Sequence, residues 1–402
     1  MPLIGIDEAL HLTLSHIAPL AAQTIALADG VDRVAAEDLR ALVDSPSVDA
    51  SLKDGYAVRS SDVAAAGPDH PLRLPLTGYA AAGGTHKVSL APGAAARILT
   101  GAAIPLGADA VLSEEFACQE KDQLIVHNDA EPGRNILPKG SDVAIGEVVV
   151  QAGQVLTPGM VGLLAAAGHS QVAVVRRPTV AILATGDEVV APGRPLPQGK
   201  LYASNMVTLG AWCRRFGMSV EMDTARDDAE AIGRMVQTLL ARCDALLTSG
   251  GAWSGDRDLI AKVLQHLGWH QVFHRVRIGP GKAVGFGLLS GKPVFILPGG
   301  PPSNLMGFLQ IALPGLMRLG GLRAPGLPTV NATLAHDVKG RDIEWTQFVF
   351  GRLDHGPTIA QFSADRPRSR LRAMAQATAI VAVPEGETVL RAGTVVKAQV
   401  LE

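Results

Sequence analysis

PTVAILATGDE (178–188), ALLTSGG (245–251) and PVFILPGGPPSN (293–304) decide the fold. Each opens as an uninterrupted apolar run of strand length and ends in glycine. Between them lie stretches of helical spacing: Ser204 to Phe216, with a Ser N-cap and Gly217 as its stop, then Asp228 to Arg242 and Arg257 to Leu267. Met218 to Met222 and Val272 to Ile278 read as further strands, and Asn304 to Met317 as a last helix. Buried apolar strands alternating with amphipathic helices predict βαβ units around a parallel sheet.

The surrounding text differs on both sides. Residues 5–22 read as a helix, with Asp7 and Glu8 in the first turn and Leu10, Leu14 and Ile17 at helical spacing. From 23 to 150, short apolar runs alternate with Pro and Gly turns, which is β-rich punctuation. TPGMVGLLAAAG (157–168) reads as a short helix with Thr157 as N-cap and Pro158 at its first position. After Gly320-Gly321, short alternating runs at Val330 to Leu334, Thr346 to Phe350, Ile380 to Val383 and Val395 to Leu401 predict a small separate β domain. The expected organisation is a helical arm from 1–22 with 151–175, a β-rich domain at 23–150, an α/β domain at 176–323 and a β domain at 324–402.

Composition narrows the function. The 402 residues are 47% hydrophobic and 18% charged, which fits a folded globular chain. A formal net charge of −2 argues against a broad nucleic-acid or anionic-membrane surface. Any bound anion must be held by local geometry. The three cysteines, Cys118, Cys213 and Cys243, are far apart and form no zinc or disulfide pattern. The start carries Asp7 and Glu8 but no Lys or Arg, so neither a secretory leader nor a membrane span is expected; the expected compartment is the cytoplasm.

A parallel sheet would bring three unusual strand ends to one edge, where ligands of open α/β sheets bind. They are Thr185-Gly186-Asp187-Glu188, Ser249-Gly250-Gly251 with Asp256 and Asp258 following, and Pro298-Gly299-Gly300-Pro301-Pro302-Ser303. Glycines let backbone N–H groups approach an oxyanion, and Ser303 is expected to cap the last helix so that its free N–H groups face the ligand. Carboxylates on that edge would repel a phosphate unless a cation such as Mg²⁺ lies between. Asp187, Glu188, Asp227, Asp228 and Asp258 therefore suggest a metal-bridged phosphate site, although Asp228 and Asp256 also suit simple helix caps. His266, His270 and His274 are spaced by four, but Gly268-Trp269 breaks any helix between them. No G-x-S-x-G or Walker loop is present.

Taken in order, seven segments resemble the molybdopterin molybdotransferase family, known from bacterial molybdenum-cofactor synthesis and the E domain of gephyrin. They are DASLKDGYAV (49–58), RILTGAAIPLGADAV (97–111), GRNILPKGSDVAIGE (133–147), ATGDEVVAPG (184–193), TSGGAWSGDRD (248–258), GPGKAVGFG (279–287) and LPGGPPSN (297–304). The resemblance implies a multidomain α/β plus β fold: an elongated N-terminal arm, a β-rich domain, a central molybdopterin-binding α/β domain with a parallel sheet, and a C-terminal β-barrel. It also implies a homodimer with the site at the subunit interface. The implied substrates are adenylylated molybdopterin and molybdate, with release of AMP, and the implied ion is Mg²⁺ or Zn²⁺. The related adenylyltransferase and recipient molybdoenzymes are the implied partners.

By the same resemblance, Asp187, Glu188, Asp227 and Asp258 hold the metal or orient the attacking oxygen, and Lys282 meets a phosphate. Thr185, Gly186, Ser249, Gly250, Gly251, Gly299, Gly300 and Ser303 line the substrate, with Pro298 and Pro301 shaping the last loop. Asp54, Thr100 and Asp142 face the cleft from the arm side, from the other subunit. Ser369 falls near a family serine.

Departures from the pattern are Gly300 for an Asn, Gly279 for a Lys, Ala252-Trp253 in the second loop, and Phe350 near the place of an Arg. Arg366, Arg368, Arg370 and Arg372 would share one face if extended. A tungstate-using paralogue, a non-catalytic cofactor carrier and the related adenylyltransferase are the other readings; the arm and C-terminal domain disfavour the last.

Overall fold

Why the strands are apolar throughout is plain from what they touch. In β1 (Thr179–Thr185), Val180, Ile182 and Ala184 enter one core cluster while Ala181 and Leu183 enter another. A strand buried on both faces has no polar positions to alternate. The first cluster takes Met206, Leu209 and Cys213 of α1 (Ser204–Arg215). The second takes Ile232, Val236 and Leu239 of α2 (Ala229–Arg242) and Ile260 and Leu264 of α3 (Leu259–His266). Full burial of each such side chain is worth about 1.5–3 kcal/mol. The result is three layers, helix–sheet–helix.

The computed structural model describes residues 3–84, 88–250, 259–354, 359–364 and 370–402. The other strands of this sheet are β2 (Ser219–Ala225), β3 (Ala245–Ser249), β4 (His270–His274), β5 (Gly285–Leu289) and β6 (Lys292–Leu297), in the order β2-β1-β3-β6-β5-β4. The run β2-β1-β3-β6 is parallel, as expected. The far side is not: β5 is antiparallel to β6, and β4 to β5. Ser290 (φ 52) and Gly291 (φ 77) make the two-residue hairpin between β5 and β6, a turn that needs two positive φ angles. The expected strand Val272 to Ile278 is divided, with Ile278–Gly279 leaving to pair with Thr346–Gln347.

Some caps correct the sequence reading. Ser204 is the first helical residue of α1 and makes no side-chain cap; Ala203 is the N-cap. Asp228 does cap α2, accepting from the Ala231 N–H at 2.7 Å. The last helix begins earlier than Asn304, as α4 (Pro301–Gly307), continues through a π-helical segment, Phe308–Ala312, and ends as Leu313–Leu319. Proline at the first helical positions loses no internal hydrogen bond. The N-terminal helix is shorter than expected, Ile6–Ser15, and packs on Leu313–Leu319.

Beyond it, β7 (Thr329–Leu334), β8 (Thr346–Asp354), β9 (Ala360–Ala364), β10 (Ala379–Val383) and β11 (Val395–Val400) close on themselves. Pairings run β7–β9, β9–β8, β8–β10, β10–β11 and β11–β7, a five-stranded barrel around Ala332, Phe362, Val381 and Ala398. None of the four runs expected from the sequence covers β9.

These parts belong to one compact unit, residues 1–23, 153–155 and 174–402; residues 24–152 and 156–173 form another. The second unit is built on a six-stranded sheet ordered Ala110–Ser113, Gly55–Val58, Ala95–Ile98, Leu72–Ala80, Gln123–Val126, Ala117–Glu120. It also holds the helix Pro158–Ala166, which Thr157 caps from the Met160 N–H, as the sequence predicts. Among the described residues no helix is long and apolar enough to cross a membrane.

Candidate active site

Since β1, β3 and β6 are parallel neighbours, their carboxyl ends share one edge, and the loops that follow touch. Gly250 adopts φ 106, and a Cβ there would lie 2.5 Å from the Thr185 carbonyl oxygen. The Gly250 N–H donates to the Leu297 carbonyl at 3.2 Å, and Gly299 approaches the Gly250 Cα. Two asparagines lock the set. The Asn304 amide donates to Ser249 Oγ (3.1 Å) and the Pro298 carbonyl (2.9 Å). The Asn205 amide donates to the Gly299 carbonyl (2.8 Å) and Ser249 Oγ (3.4 Å). Thr185 Oγ1 and Thr248 Oγ1 are buried here without a hydrogen-bond partner.

Acids crowd the first loop. Gly186, at φ 142, folds so closely over Glu188 that a Cβ would meet its carboxylate at 2.6 Å. Its N–H donates to the Ala225 carbonyl, bringing the segment after β2 alongside. There the Asp227 N–H donates to Asp187 Oδ1 at 3.4 Å. Burial, then the charges of Glu188 and Asp187, push the Asp227 carboxyl above its ordinary range against an opposing backbone hydrogen bond from Asp187. Asp227 as a residue is exposed, so solvent screens most of this penalty. Asp187, Glu188 and Asp227 make no ion pair among the described residues. No group of three His, Cys, Asp or Glu there is arranged as a metal shell.

The third loop has a second side. It borders a cavity of about 690 Å³ whose other walls are the Gly279–Ala283 turn and the barrel segment from Arg341 to Gln347. Lys282 lies in it, its Nζ 5.0 Å from the Trp345 ring centroid, a cation–π contact. Gln347, buried, accepts from the Arg341 N–H (2.7 Å) and donates to the Asp342 carbonyl (3.1 Å).

In the second unit, Asp54 and Thr100 are together. Asp54 Oδ1 accepts from the Thr100 N–H (2.6 Å) and its hydroxyl (2.7 Å), which holds the Asp54 carboxyl below its ordinary range. Asp142 takes no part in that pair; its N–H donates to the Ser45 carbonyl.

The geometry therefore gathers Thr185, Gly186, Asp187, Glu188, Asp227, Ser249, Gly250, Pro298 and Gly299, and sets Lys282, Gly300 and Ser303 around the adjoining cavity. Pro301 opens α4. Ser303 is not the cap expected of it: α4 begins at Pro301 with Gly300 as N-cap, so Ser303 lies within the first turn. Gly251, Asp256, Asp258, Arg366, Arg368 and Ser369 lie outside the described residues. Arg370 and Arg372 sit in the helix Arg370–Gln376, so two residues apart they face different ways rather than sharing an extended face. Sequence reasoning missed Asn205, Asn304 and Trp345. For the two asparagines the available signal was an amide inside the first turn of a helix that follows a strand-end loop; for Trp345 there was none.

Fold and site together define a multidomain α/β plus β protein, with glycine loops and acids at the strand ends of the α/β sheet and a barrel in the same unit. Comparison gives its family. Residues 4–168 match the MoeA N-terminal region (domain I and II), and residues 181–318 match a probable molybdopterin binding domain. A molybdopterin molybdenumtransferase 2 of Mycobacterium tuberculosis is 33% identical over 380 residues, covering 92% of this chain and 93% of its own. The molybdopterin molybdenumtransferase of Staphylococcus aureus is 29% identical over 394 residues, covering 97% and 94%. A solved molybdopterin biosynthesis moeA protein from Pyrococcus horikosii superposes with a TM-score of 0.83 at 31% identity, over 100% of both chains. The chain belongs to the molybdopterin molybdenumtransferase family, transferases of molybdenum cofactor biosynthesis.

Proposed function

We propose that this chain inserts molybdenum from molybdate into adenylylated molybdopterin with release of AMP. The observation that carries the reading is the junction of three glycine loops at one sheet edge, with Asp187, Glu188 and Asp227 at its margin. An oxygen of molybdate attacks the adenylyl phosphorus, and the bridging oxygen leaves with its electron pair on the pterin phosphate; the two dithiolene thiols then bond to molybdenum as its bond to the AMP oxygen breaks, AMP leaves with that oxygen and electron pair, and the thiol protons pass to AMP and solvent, with molybdenum unchanged in oxidation state. The loop N–H groups and Lys282 face the negative charge that develops.

The acidic residues fit a divalent cation. Hard carboxylate oxygens without a basic partner, one of them raised by burial and then by its neighbours' charge, are donors that Mg²⁺ would relieve, with Zn²⁺ the second candidate. Asp187, Glu188 and Asp227 would hold it, joined by Asp258. When bound, the ion supplies charge neutralisation at the bridging oxygen. Thr185, Gly186, Ser249, Gly250, Gly299, Gly300 and Ser303 would line the pterin phosphate and Pro298 and Pro301 shape its loop; Gly251 and Ser369, outside the described residues, join them on the family resemblance alone. A homodimer in the cytoplasm completes the reading: Asp54, Thr100 and Asp142 of one subunit face the loops of the other. The adenylyltransferase would deliver substrate, and molybdoenzymes would receive product.

The test is AMP release and molybdenum content after incubation with adenylylated molybdopterin, molybdate and Mg²⁺. Turnover is expected. Tight pterin binding without AMP would instead make the chain a cofactor carrier, and a preference for tungstate would make it a tungsten-inserting relative.

A further inference from the structure

One lysine is tied into the acidic first loop without neutralising it. Directly after Glu188, Val189–Val190 and Leu201–Tyr202 pair as a parallel two-stranded ribbon. The chain between them turns back at Gly199 (φ 78), and the Leu201 N–H donates to the Glu188 carbonyl at 2.8 Å. Tyr202 closes the ribbon, its hydroxyl donating to the Arg194 carbonyl at 3.0 Å. That return sets Lys200 beside Asp187, where its ammonium donates to the Asp187 backbone carbonyl at 2.6 Å.

Three details set this lysine apart. Residues 192–199 are exposed, whereas Lys200 is half-buried. An ammonium has three donors, and among the described residues Lys200 uses only the one to Asp187. It forms no ion pair there, although the carboxylates of Asp187 and Glu188 belong to the same loop. A carbonyl oxygen thus fixes the ammonium in place without cancelling its charge. Among the described residues Arg194 and Arg226, the other cations of these segments, make no side-chain hydrogen bond to the loop.

A fixed positive charge beside carboxylates weakens their hold on a second cation by Coulomb repulsion. A phosphate reverses the balance, because it can take the two remaining lysine donors while a divalent ion bridges it to the acids. We infer that Lys200 makes cation binding at this edge conditional on a phosphate-bearing ligand. It opposes a divalent ion on the empty chain and donates to the phosphate when one arrives, so metal and nucleotide load together. The inference rests on the cation reading above, with Asp187, Glu188 and Asp227 as the donors.

Isothermal titration of the full chain with Mg²⁺ at low ionic strength, with and without AMP, tests it. Lys200→Gln keeps a donor for the Asp187 carbonyl and removes the charge; Lys200→Arg keeps both. Lys397→Gln removes an exposed lysine charge from β11. Without AMP, Lys200→Gln should bind Mg²⁺ about threefold to tenfold more tightly than the natural chain, the scale of one screened like charge. AMP should tighten Mg²⁺ binding in the natural chain and in Lys200→Arg, and by a smaller factor in Lys200→Gln, because the lost lysine carried part of the coupling between the two ligands. Lys397→Gln should match the natural chain. Unchanged Mg²⁺ affinity in Lys200→Gln, or the same gain in Lys397→Gln, overturns the inference. Weaker binding in both Lys200 variants also overturns it and makes the residue a strut of the ribbon. Mg²⁺ binding by none of the chains, with or without AMP, would sink the cation reading and this inference with it; Mg²⁺ binding that ignores Lys200 sinks this inference alone.

Discussion

Two acidic sites of this molecule have opposite electrostatics. In the second unit, Asp54 receives two donors from one threonine and its carboxyl is held low. At the sheet edge, Asp227 stands beside Glu188 and Asp187 and its carboxyl is pushed up. The first carboxylate is satisfied by the protein itself. The second has its charge opposed by burial and by two acidic neighbours, the setting that the proposed cation would relieve. An acidic residue in a family motif thus says little until its neighbours are known: Asp54 is a finished local clasp, Asp227 an open position.

That contrast can be broken at several points. The largest effect should come from Glu188→Gln, which removes one charge from the open site. AMP release should fall by about a hundredfold or more, the scale of losing one oriented electrostatic group, with circular dichroism unchanged. Normal turnover in that variant would remove the role given to Glu188. Next in size is Gly250→Ala. Its Cβ would strike the Thr185 carbonyl, and φ 106 disfavours any side chain, so denaturant titration should show a loss of about 1–3 kcal/mol.

Asp227→Asn should act in the other direction. A raised carboxyl contributes stability that is complete below the unfolded value of 3.8 and is lost as pH rises through the folded value. The amide has no such loss, so at neutral pH without metal the variant should melt higher. The gain is about half a kcal/mol or less, because the group is exposed and screened. Added Mg²⁺ should then raise the melting temperature of the natural chain more than that of the variant; equal shifts would separate Asp227 from the cation.

The smallest effect belongs to Thr100→Ala. Asp54 contributes stability above the unfolded value of 3.8, lost as pH falls through its lowered folded value. Without the hydroxyl, an NMR titration should show the Asp54 carboxyl moving up toward the ordinary range. An unmoved titration would show that the backbone N–H alone holds it.

Legibility in the sequence followed the range of the cause. Strands such as Thr179–Thr185 announced themselves because both faces are buried, and their glycine ends because only glycine tolerates the close approach at Gly250. The hairpin strand Gly285–Leu289 did not, since GFGLL carries two glycines and no alternation. Ser303 looked like a cap because serine suits caps; Pro301 and Pro302 start the helix first. Lys282 and Trp345 come from segments far apart in the chain, and no local spacing marks residues that meet only after the barrel has docked.

The helix that leaves the third loop ends its first part in the π-helical segment Phe308–Ala312, where Gln310 and Gln399 of β11 exchange amide hydrogen bonds at 2.7 and 3.0 Å. A symmetric amide pair of this kind works as a key in a lock: it fits at one register and loses both bonds at a slip of one residue. Any shift of this helix against the barrel strand would therefore break the pair, and the Gln399 side-chain resonance is the place where such a shift would be read.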